Sequence, residues 1–222
     1  MPRLPRLART PPPPPPPPLP PGALVRPILE YPSPALRAKC APLPFPLSAP
    51  ARALLRDLPP TLAAHRGMGL AAPQLGELLR VFIMRTPLAW TAAGAARARA
   101  ALAPGGGPRA EGVTLCVNPQ LLHRSEGSAL GMESCLSMPG DPLLVWRSER
   151  VGVAWQDEAG ARVEAELEGL PAVVFQHELD HLDGVLITDR EVKVPARERD
   201  AAMMRASALF REAHRRFYGG KL

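Results

Sequence analysis

The pattern with the clearest chemical meaning is a pair of histidines, His177 and His181, in the segment His-Glu-Leu-Asp-His. In a helix, one turn separates the two imidazoles, so both can bind the same metal ion. Glu178 lies beside them, at the position of a general base in metal-dependent hydrolases. The pattern therefore indicates hydrolysis by a metal-activated water, although the motif alone is only moderately specific.

Two histidines leave an open tetrahedral site one protein ligand short. The longer zincin pattern His-x-x-Gly-x-x-His is not met, because Gly184 fits but Ile187 stands where the third histidine is required. A downstream carboxylate, Glu191, follows His181 too closely for a second helix to return it to the metal. The remaining soft donors lie upstream, and Cys135 in Glu-Ser-Cys-Leu-Ser is one of them.

Three blocks of sequence, taken in order, resemble the peptide deformylase family. The family patterns are Gly-x-Gly-Leu-Ala-Ala-x-Gln, Glu-Gly-Cys-Leu-Ser and Gln-His-Glu-x-Asp-His, and their counterparts here are residues 67–74, 133–137 and 176–181. Residues 28–32 and 36–37 also resemble the family's opening strand, and the similarity extends over roughly residues 24–215. Three spaced blocks are far more specific than one motif.

This resemblance implies a metal centre with Cys135, His177 and His181 as ligands and a water molecule in the fourth position. It implies one divalent metal ion per chain, with Fe2+ as the expected ion and Zn2+ able to occupy the same ligands. A thiolate with two imidazoles suits such borderline metals. The resemblance also implies that Gln74 and the backbone N–H of Leu136 donate to the developing oxyanion, a large catalytic contribution in other hydrolases.

The resemblance further implies a pocket for the first side chain of a peptide substrate. The residues that it places at this pocket or along the substrate backbone are Met68, Gly69, Glu133, Ser134, Leu170, Val173 and Val174. Most of them are apolar and flexible or branched, which suits a linear methionine side chain. Ser134 replaces the family's glycine, and a positive φ at that position would strain it.

The activity implied by the resemblance is hydrolysis of the formyl group from the initiator methionine of a new polypeptide, with release of formate. Glu178 would take a proton from water and pass it to the leaving amine. The expected partners are N-formylmethionyl nascent peptides and an organellar ribosome, without sequence-specific nucleic acid. Two other functions fit the residues: a zinc endopeptidase that shares Glu178, and a non-catalytic metal- or peptide-binding relative.

The sequence predicts an α+β fold for the elements that position these groups. Small antiparallel sheets pack around the motif helix, and a further helix lies at the C-terminus. Pro171 opens the motif helix and Gly184 closes it. The predicted strands are 79–84, 113–117 and a hairpin across 151–167, and the final helix is 195–217.

Two segments are expected to depart from this framework. Pro59 and Pro60 interrupt the helix that begins at residues 51–58, and we expect them to end or sharply kink it. Residues 91–112 are rich in alanine, arginine and glycine, and we expect an inserted surface loop there.

Composition excludes several classes of protein. The chain has 222 residues, of which 46% are hydrophobic, and its net charge is +6. No apolar run approaches the roughly 18 residues that span a bilayer, so no membrane span is expected. Three cysteines cannot form the even, dense framework of a small secreted disulfide protein.

The first 23 residues differ in composition from the rest. They include Arg3, Arg6 and Arg9, the proline run 11–18 and no acidic residue. This composition predicts a presequence or a disordered tail, followed by a catalytic domain over 24–222. Because formylated methionine occurs in bacteria, mitochondria and plastids, the sequence predicts a mitochondrial or plastid protein, or a bacterial cytoplasmic one if the tail is no targeting signal.

Overall fold

The protein is represented by a computed structural model that describes residues 19–85, 112–205 and 208. The expected surface loop at 91–112 lies outside these residues except for Gly112, and the expected tail lies outside them up to residue 18. None of the helices in the described ranges combines the length and apolar character that crossing a bilayer requires.

The elements confirm the expected mixture of helices and antiparallel strands. The helices are α1 (Ala49–Ala64), α2 (Leu170–Leu182), α3 (Ile187–Arg190) and α4 (residues 196–205), with short 3-10 turns at Pro34–Arg37 and Ala72–Leu75. The strands are β1 (Gly69–Ala71), β2 (Val81–Arg85), β3 (Val113–Arg124), β4 (Ser128–Cys135), β5 (Met138–Ser148), β6 (Arg150–Gln156) and β7 (Arg162–Glu168).

The strands form two antiparallel sheets. Five strands pair in the order β1-β2-β3-β6-β7, and β4 pairs with β5 in a separate two-stranded sheet. The expected strand at 113–117 is longer than predicted: β3 continues to Arg124, with an irregular register between Val117 and Gln120. The hairpin expected across 151–167 is β6–β7, where Val151 faces Leu167 and Trp155 faces Val163.

Strand β2 is buried on both faces, which explains the apolar run over residues 81–84. Ile83 packs with the buried leucines of α1, and Phe82 packs with α2. The rings of Phe82 and Phe175 meet edge to face, with centroids 5.1 Å apart. The sheet therefore fixes α2, the helix that carries the histidine pair, against a rigid core.

The expected break at Pro59 and Pro60 is wrong. Helix α1 continues through both prolines, although each lacks the N–H that a helix normally uses. The hydroxyl of Thr61 donates to the carbonyl of Asp57 at 2.7 Å, which satisfies one acceptor inside this stretch. The helix buries four leucines, each contributing about 1.5–3 kcal/mol, and this offsets about 3 kcal/mol per proline.

The C-terminal helix is confirmed over residues 196–205, and the remainder of the predicted 195–217 lies outside the described residues apart from residue 208. Ala202 of this helix is fully buried with Leu130 of β4 and Leu144 of β5. Helix α4 thereby covers an apolar face of the two-stranded sheet, the same sheet that carries Cys135.

Candidate metal centre and active site

Helix α2 presents the histidine pair as the spacing predicts. Pro171 lies in its first turn, and Gly184 follows its end with a φ of +72°. The rings of His177 and His181 lie one turn apart, with centroids separated by 5.0 Å. Both imidazoles can therefore face a single ion.

Cys135 is the last residue of β4 in the two-stranded sheet, and it lies against this histidine pair. Its Sγ lies 3.3 Å from Nε2 of His181, and one ligand atom from each of Cys135, His177 and His181 lies within 4.8 Å of the others. Cys135 and His181 are buried, and His177 is nearly so. One thiolate and two imidazoles around a shared point form a donor set that fits a tetrahedral divalent metal with one open position.

Glu133 and Arg147 stand behind His177. Oε2 of Glu133 lies 2.8 Å from Nδ1 of His177, while Arg147 donates to both oxygens of the same carboxylate at 2.7 and 2.9 Å. Burial opposes ionisation of Glu133, but these hydrogen bonds prevail and hold its pKa at about 2. The carboxylate is therefore ionised and orients the imidazole ring.

Arg147 also links this carboxylate to α2. Its Nη1 donates to the carboxylate of Asp180 at 2.6 Å, and Arg190 donates to the Asp180 carboxylate at 2.8 Å. Sequence reasoning missed Arg147 and Asp180. A signal existed for each: Asp180 lies three residues after His177 in the histidine motif, and Arg147 is a charged residue that directly follows the apolar run 143–146.

Glu178 is buried beside the ligands, and its Oε2 has no hydrogen-bond partner in the described part of the chain. Burial, the largest cause, raises the pKa of Glu178 to about 7. Gly69 lies directly against this carboxylate, where a Cβ would overlap it. A buried carboxylate with a free oxygen and a pKa near neutrality suits proton transfer.

The pKa values of the two histidines shift in opposite directions, although burial acts to lower both. Burial lowers the pKa of His181 well below its usual range, which leaves a neutral imidazole. Burial also acts to lower the pKa of His177, but hydrogen bonds with Cys135 and Glu133 outweigh it and raise the value.

Gln74 is held with its amide towards the ligand set. The backbone N–H of Ala71 donates to Oε1 of Gln74 at 2.8 Å, and Nε2 donates to the hydroxyl of Ser137 at 3.1 Å. The same Nε2 lies 3.9 Å from Sγ of Cys135. Leu136 stands between Cys135 and Ser137 in the chain, so its backbone lies next to two members of this cluster.

The comparisons with known proteins agree with this geometry. The family model for polypeptide deformylase matches residues 25–197. The chain belongs to the peptide deformylase family. It is accordingly a hydrolase that removes the N-formyl group from the initiator methionine of new polypeptides and releases formate, and the endopeptidase alternative is not favoured.

Individual peptide deformylases support the same assignment. The chain is 39% identical over 157 residues to the peptide deformylase of Thermotoga neapolitana, covering 71% of this chain and 81% of that protein. It is 36% identical over 163 residues to that of Symbiobacterium thermophilum, covering 73% of this chain but only 65% of that protein. The Met-Ala-Ser-bound crystal structure of a class I type b peptide deformylase from Acinetobacter baumannii is similar with a TM-score of 0.62 and 28% identity, over 76% of this chain and 99% of that one.

The resemblance to peptide deformylases assigns several apolar residues to the substrate pocket, and they lie in or near α2, the helix that carries the two histidine ligands. Val173 is half-buried one turn before His177 on the same helix face, whereas Val174 is buried in the core. Met68 and Leu170 are partly buried against the same apolar cluster. Leu170, Val173 and Val174 thus lie in the first half of α2, and Met68 packs against the cluster that contains Val174.

Two polar residues assigned to the pocket are placed differently. Both oxygens of Glu133 are engaged by His177 and Arg147, so this carboxylate faces the metal ligand. Ser134 is exposed and does not have a positive φ. The serine at the family's glycine position therefore causes no backbone strain.

Gly67 shows why the first block of this peptide deformylase needs glycine. A Cβ at Gly67 would overlap the side chains of Leu62 and Leu136. Together with the close approach of Gly69 to Glu178, this leaves no room for larger residues where β1 enters the site. Neither glycine has a positive φ, so close packing and not backbone freedom explains both of them.

Proposed function

We propose that Cys135, His177 and His181 hold one divalent metal ion, with Fe2+ as the native ion and Zn2+ as an alternative. The observation that carries this proposal is the convergence of three donor atoms within 4.8 Å at a buried position. A thiolate and two imidazoles match the preference of both ions. An ion there would supply Lewis-acid chemistry, making water nucleophilic at neutral pH and polarising the formyl carbonyl.

Glu178 is proposed as the group that moves the proton. Its unpartnered Oε2 can accept a proton from the attacking water and then donate it to the departing amine. The products are formate and a peptide with a free methionine amino group, so one water molecule is consumed for each N–C bond broken. The pKa of Glu178 near 7 lets the carboxyl group exchange a proton at neutral pH.

Gln74 and Leu136 are proposed as the oxyanion donors. Two bonds fix the Gln74 amide before substrate arrives, one to each end of the amide group. Donors that are already oriented towards the developing charge need no reorganisation during the reaction, which is why they contribute strongly to catalysis.

The proposed substrate is the N-formylmethionyl end of a nascent peptide. Strand β1, which contains Gly69, forms one edge of the five-stranded sheet, and an extended peptide can add to such an edge. The half-buried Val173 and the partly buried Met68 and Leu170 then offer an apolar surface to the methionine side chain.

A comparison of three peptides tests this function. The purified protein is offered formyl-Met-Ala-Ser, acetyl-Met-Ala-Ser and unmodified Met-Ala-Ser, while formate and new amino groups are measured. We expect formate from the first peptide only, with no cleavage inside any of them. Cleavage of internal peptide bonds would favour an endopeptidase, and absence of both reactions in metal-loaded protein would favour a non-catalytic relative.

The identity of the ion is tested separately. Protein prepared and analysed without oxygen should contain about one iron atom for each Cys-His-His site. Exposure to air should lower its activity, and reloading with Zn2+ should restore metal content. Zinc in the oxygen-free preparation would contradict iron as the native ion.

We propose that residues 1–23 are an import presequence for a mitochondrion or plastid and that 24–222 form the catalytic domain. The lack of acidic residues before Glu30 supports import, and the start of the family match at residue 25 supports the boundary. The ribosome of that organelle would supply the nascent peptides.

A reporter fused to residues 1–30 tests this location. We expect import into an organelle, with loss of import when Arg3, Arg6 and Arg9 are replaced by glutamine. A reporter that remains in the cytosol would contradict the presequence. The enzyme would then have to reach the compartment that contains formylated peptides by another route.

A further inference from the structure

The segment 22–31, here called the N-terminal strap, runs from α1 to the active site. Near its end, two backbone amides donate to the active-site backbone: Leu29 N–H to the carbonyl of Gln74, and Tyr31 N–H to the carbonyl of Ser137, both at 2.8 Å. We infer that these two amides make the strap a positioning element for the oxyanion donors. This inference rests on the proposed role of Gln74 and Leu136.

The two amides act on a pair of residues that already bond to each other. Nε2 of Gln74 donates to the hydroxyl of Ser137 at 3.1 Å, so the strap ties the backbones of the residues whose side chains meet. Leu29 and Tyr31 are only two residues apart in a segment that belongs to no helix or strand, and both of their N–H groups point at this pair. The strap thus spans the Gln74–Ser137 pair.

This tie matters because the two halves of the oxyanion site belong to different sheets. Gln74 lies in the turn after β1 of the five-stranded sheet, whereas Ser137 follows β4 of the two-stranded sheet. Leu136 precedes Ser137 directly, so the position of Ser137 also sets that of the Leu136 N–H. The strap therefore fixes the separation of two donors whose strands are not paired with each other.

The strap is itself anchored at its other end. Leu24 N–H donates to the carboxylate of Asp57, and Arg26 N–H donates to the hydroxyl of Thr61, both at 3.0 Å and both on α1. The guanidinium of Arg26 then donates to the carbonyl of Leu75 at 2.9 Å, next to Gln74. An anchored segment can hold an orientation, whereas a loose segment would move with its partners.

Replacing single backbone amides by esters tests the inference, because an ester removes the N–H and leaves the side chain intact. Cys40 provides a native junction at which a synthetic peptide of residues 1–39 can be joined to residues 40–222. Three full-length proteins are prepared in this way: the parent, an ester at Leu29, and an ester at Leu24 as the matched control. The control also loses one strap hydrogen bond, but on the α1 side.

We expect the Leu29 ester to lower kcat for formyl-Met-Ala-Ser about tenfold, which is less than the 10²–10³-fold that complete loss of an oxyanion donor costs. The KM, the metal content and the Kd for the product Met-Ala-Ser should stay within about twofold of the parent, because ground-state contacts are unchanged. The Leu24 ester should lower the melting temperature by about as much as the Leu29 ester does, but it should leave kcat unchanged.

Equal kcat values for the two esters would overturn the inference, since a purely structural role affects both alike. A loss of metal from the Leu29 ester would also overturn it, because the effect would then arise at the ligands. A parent protein without deformylase activity would overturn the proposed function and this inference together, so the two failures can be told apart.

Discussion

Oε2 of Glu133 lies 2.8 Å from Nδ1 of His177, and the carboxylate is held there by Nε and Nη2 of Arg147. A carboxylate at Nδ1 fixes that nitrogen as a donor and leaves the lone pair of Nε2 for a metal. Since Arg147 also binds Asp180 on α2, one arginine connects the orientation of the ligand with the position of its helix.

Replacing Glu133 by glutamine should weaken metal binding by about 10–100-fold, because a neutral amide orients the imidazole less firmly. Chelator competition at equilibrium measures the affinity. Asp180→Asn is the matched control, since it removes the other carboxylate partner of Arg147 and leaves the Glu133–His177 contact in place. Equal losses in the two variants would contradict a specific effect on His177.

Replacing Cys135 by alanine should abolish both metal binding and activity. The change removes the only anionic member of the proposed ligand set and leaves two neutral imidazoles. Metal analysis and the formate assay measure the two losses. Cys40→Ala is the control, because Cys40 is also buried but lies in an apolar cluster, and this variant should keep its metal. A Cys135→Ala protein that retained activity without metal would contradict the ligand assignment.

The thiol of Cys40 should resist alkylation in the native protein. Burial raises its pKa to about 11, and the thiolate is the reactive form, so at pH 8 only about 0.1% is reactive. The rate should rise with pH up to about 11, and denaturant should make Cys40 react at once. Mass spectrometry after iodoacetamide treatment measures this. Fast labelling at pH 8 in the folded protein would contradict the burial.

Local sequence was sufficient to predict much of the site. The histidine spacing indicated a helix, and Pro171 and Gly184 marked its two ends. Helix α2 and its two ligands therefore follow from short-range rules. Alternation predicted the β6–β7 hairpin for the same reason. The meeting of Cys135 with α2 joins distant blocks, and only the family resemblance anticipated it.

The features that sequence reasoning missed depend on long-range packing. Pro59 and Pro60 remain helical because burial of α1 outweighs a strong local preference against proline. The Arg147–Asp180 pair joins β5 to α2, and nothing in either local pattern indicates the other partner. The strap contact from Leu29 to Gln74 is a bond between backbones, which side-chain types do not encode.

Replacing Val173 by tryptophan should raise the KM for formyl-Met peptides at least tenfold and leave metal content intact. Val173 is half-buried one helical turn from His177, so a larger side chain there fills the space proposed for methionine. Leu122→Trp, at an exposed position of β3, is the control and should not change the KM. Unchanged kinetics for Val173→Trp would mean that the methionine pocket lies elsewhere.

Replacing Glu178 by glutamine should separate the metal from the proton transfer. The amide is nearly isosteric, so the helix and the metal should be retained, but it cannot accept and return a proton. General acid–base catalysis is worth about 10²–10⁴-fold, and kcat should fall by at least that order. Gln74→Ala is the comparison, since it also keeps the metal but loses about 3 kcal/mol of oxyanion stabilisation. Steady-state rates and metal analysis on both proteins measure the effects. Near wild-type rates for metal-loaded Glu178→Gln would contradict the mechanism, because no other carboxylate in the described part of the chain lies buried beside the ligands with an unpartnered oxygen.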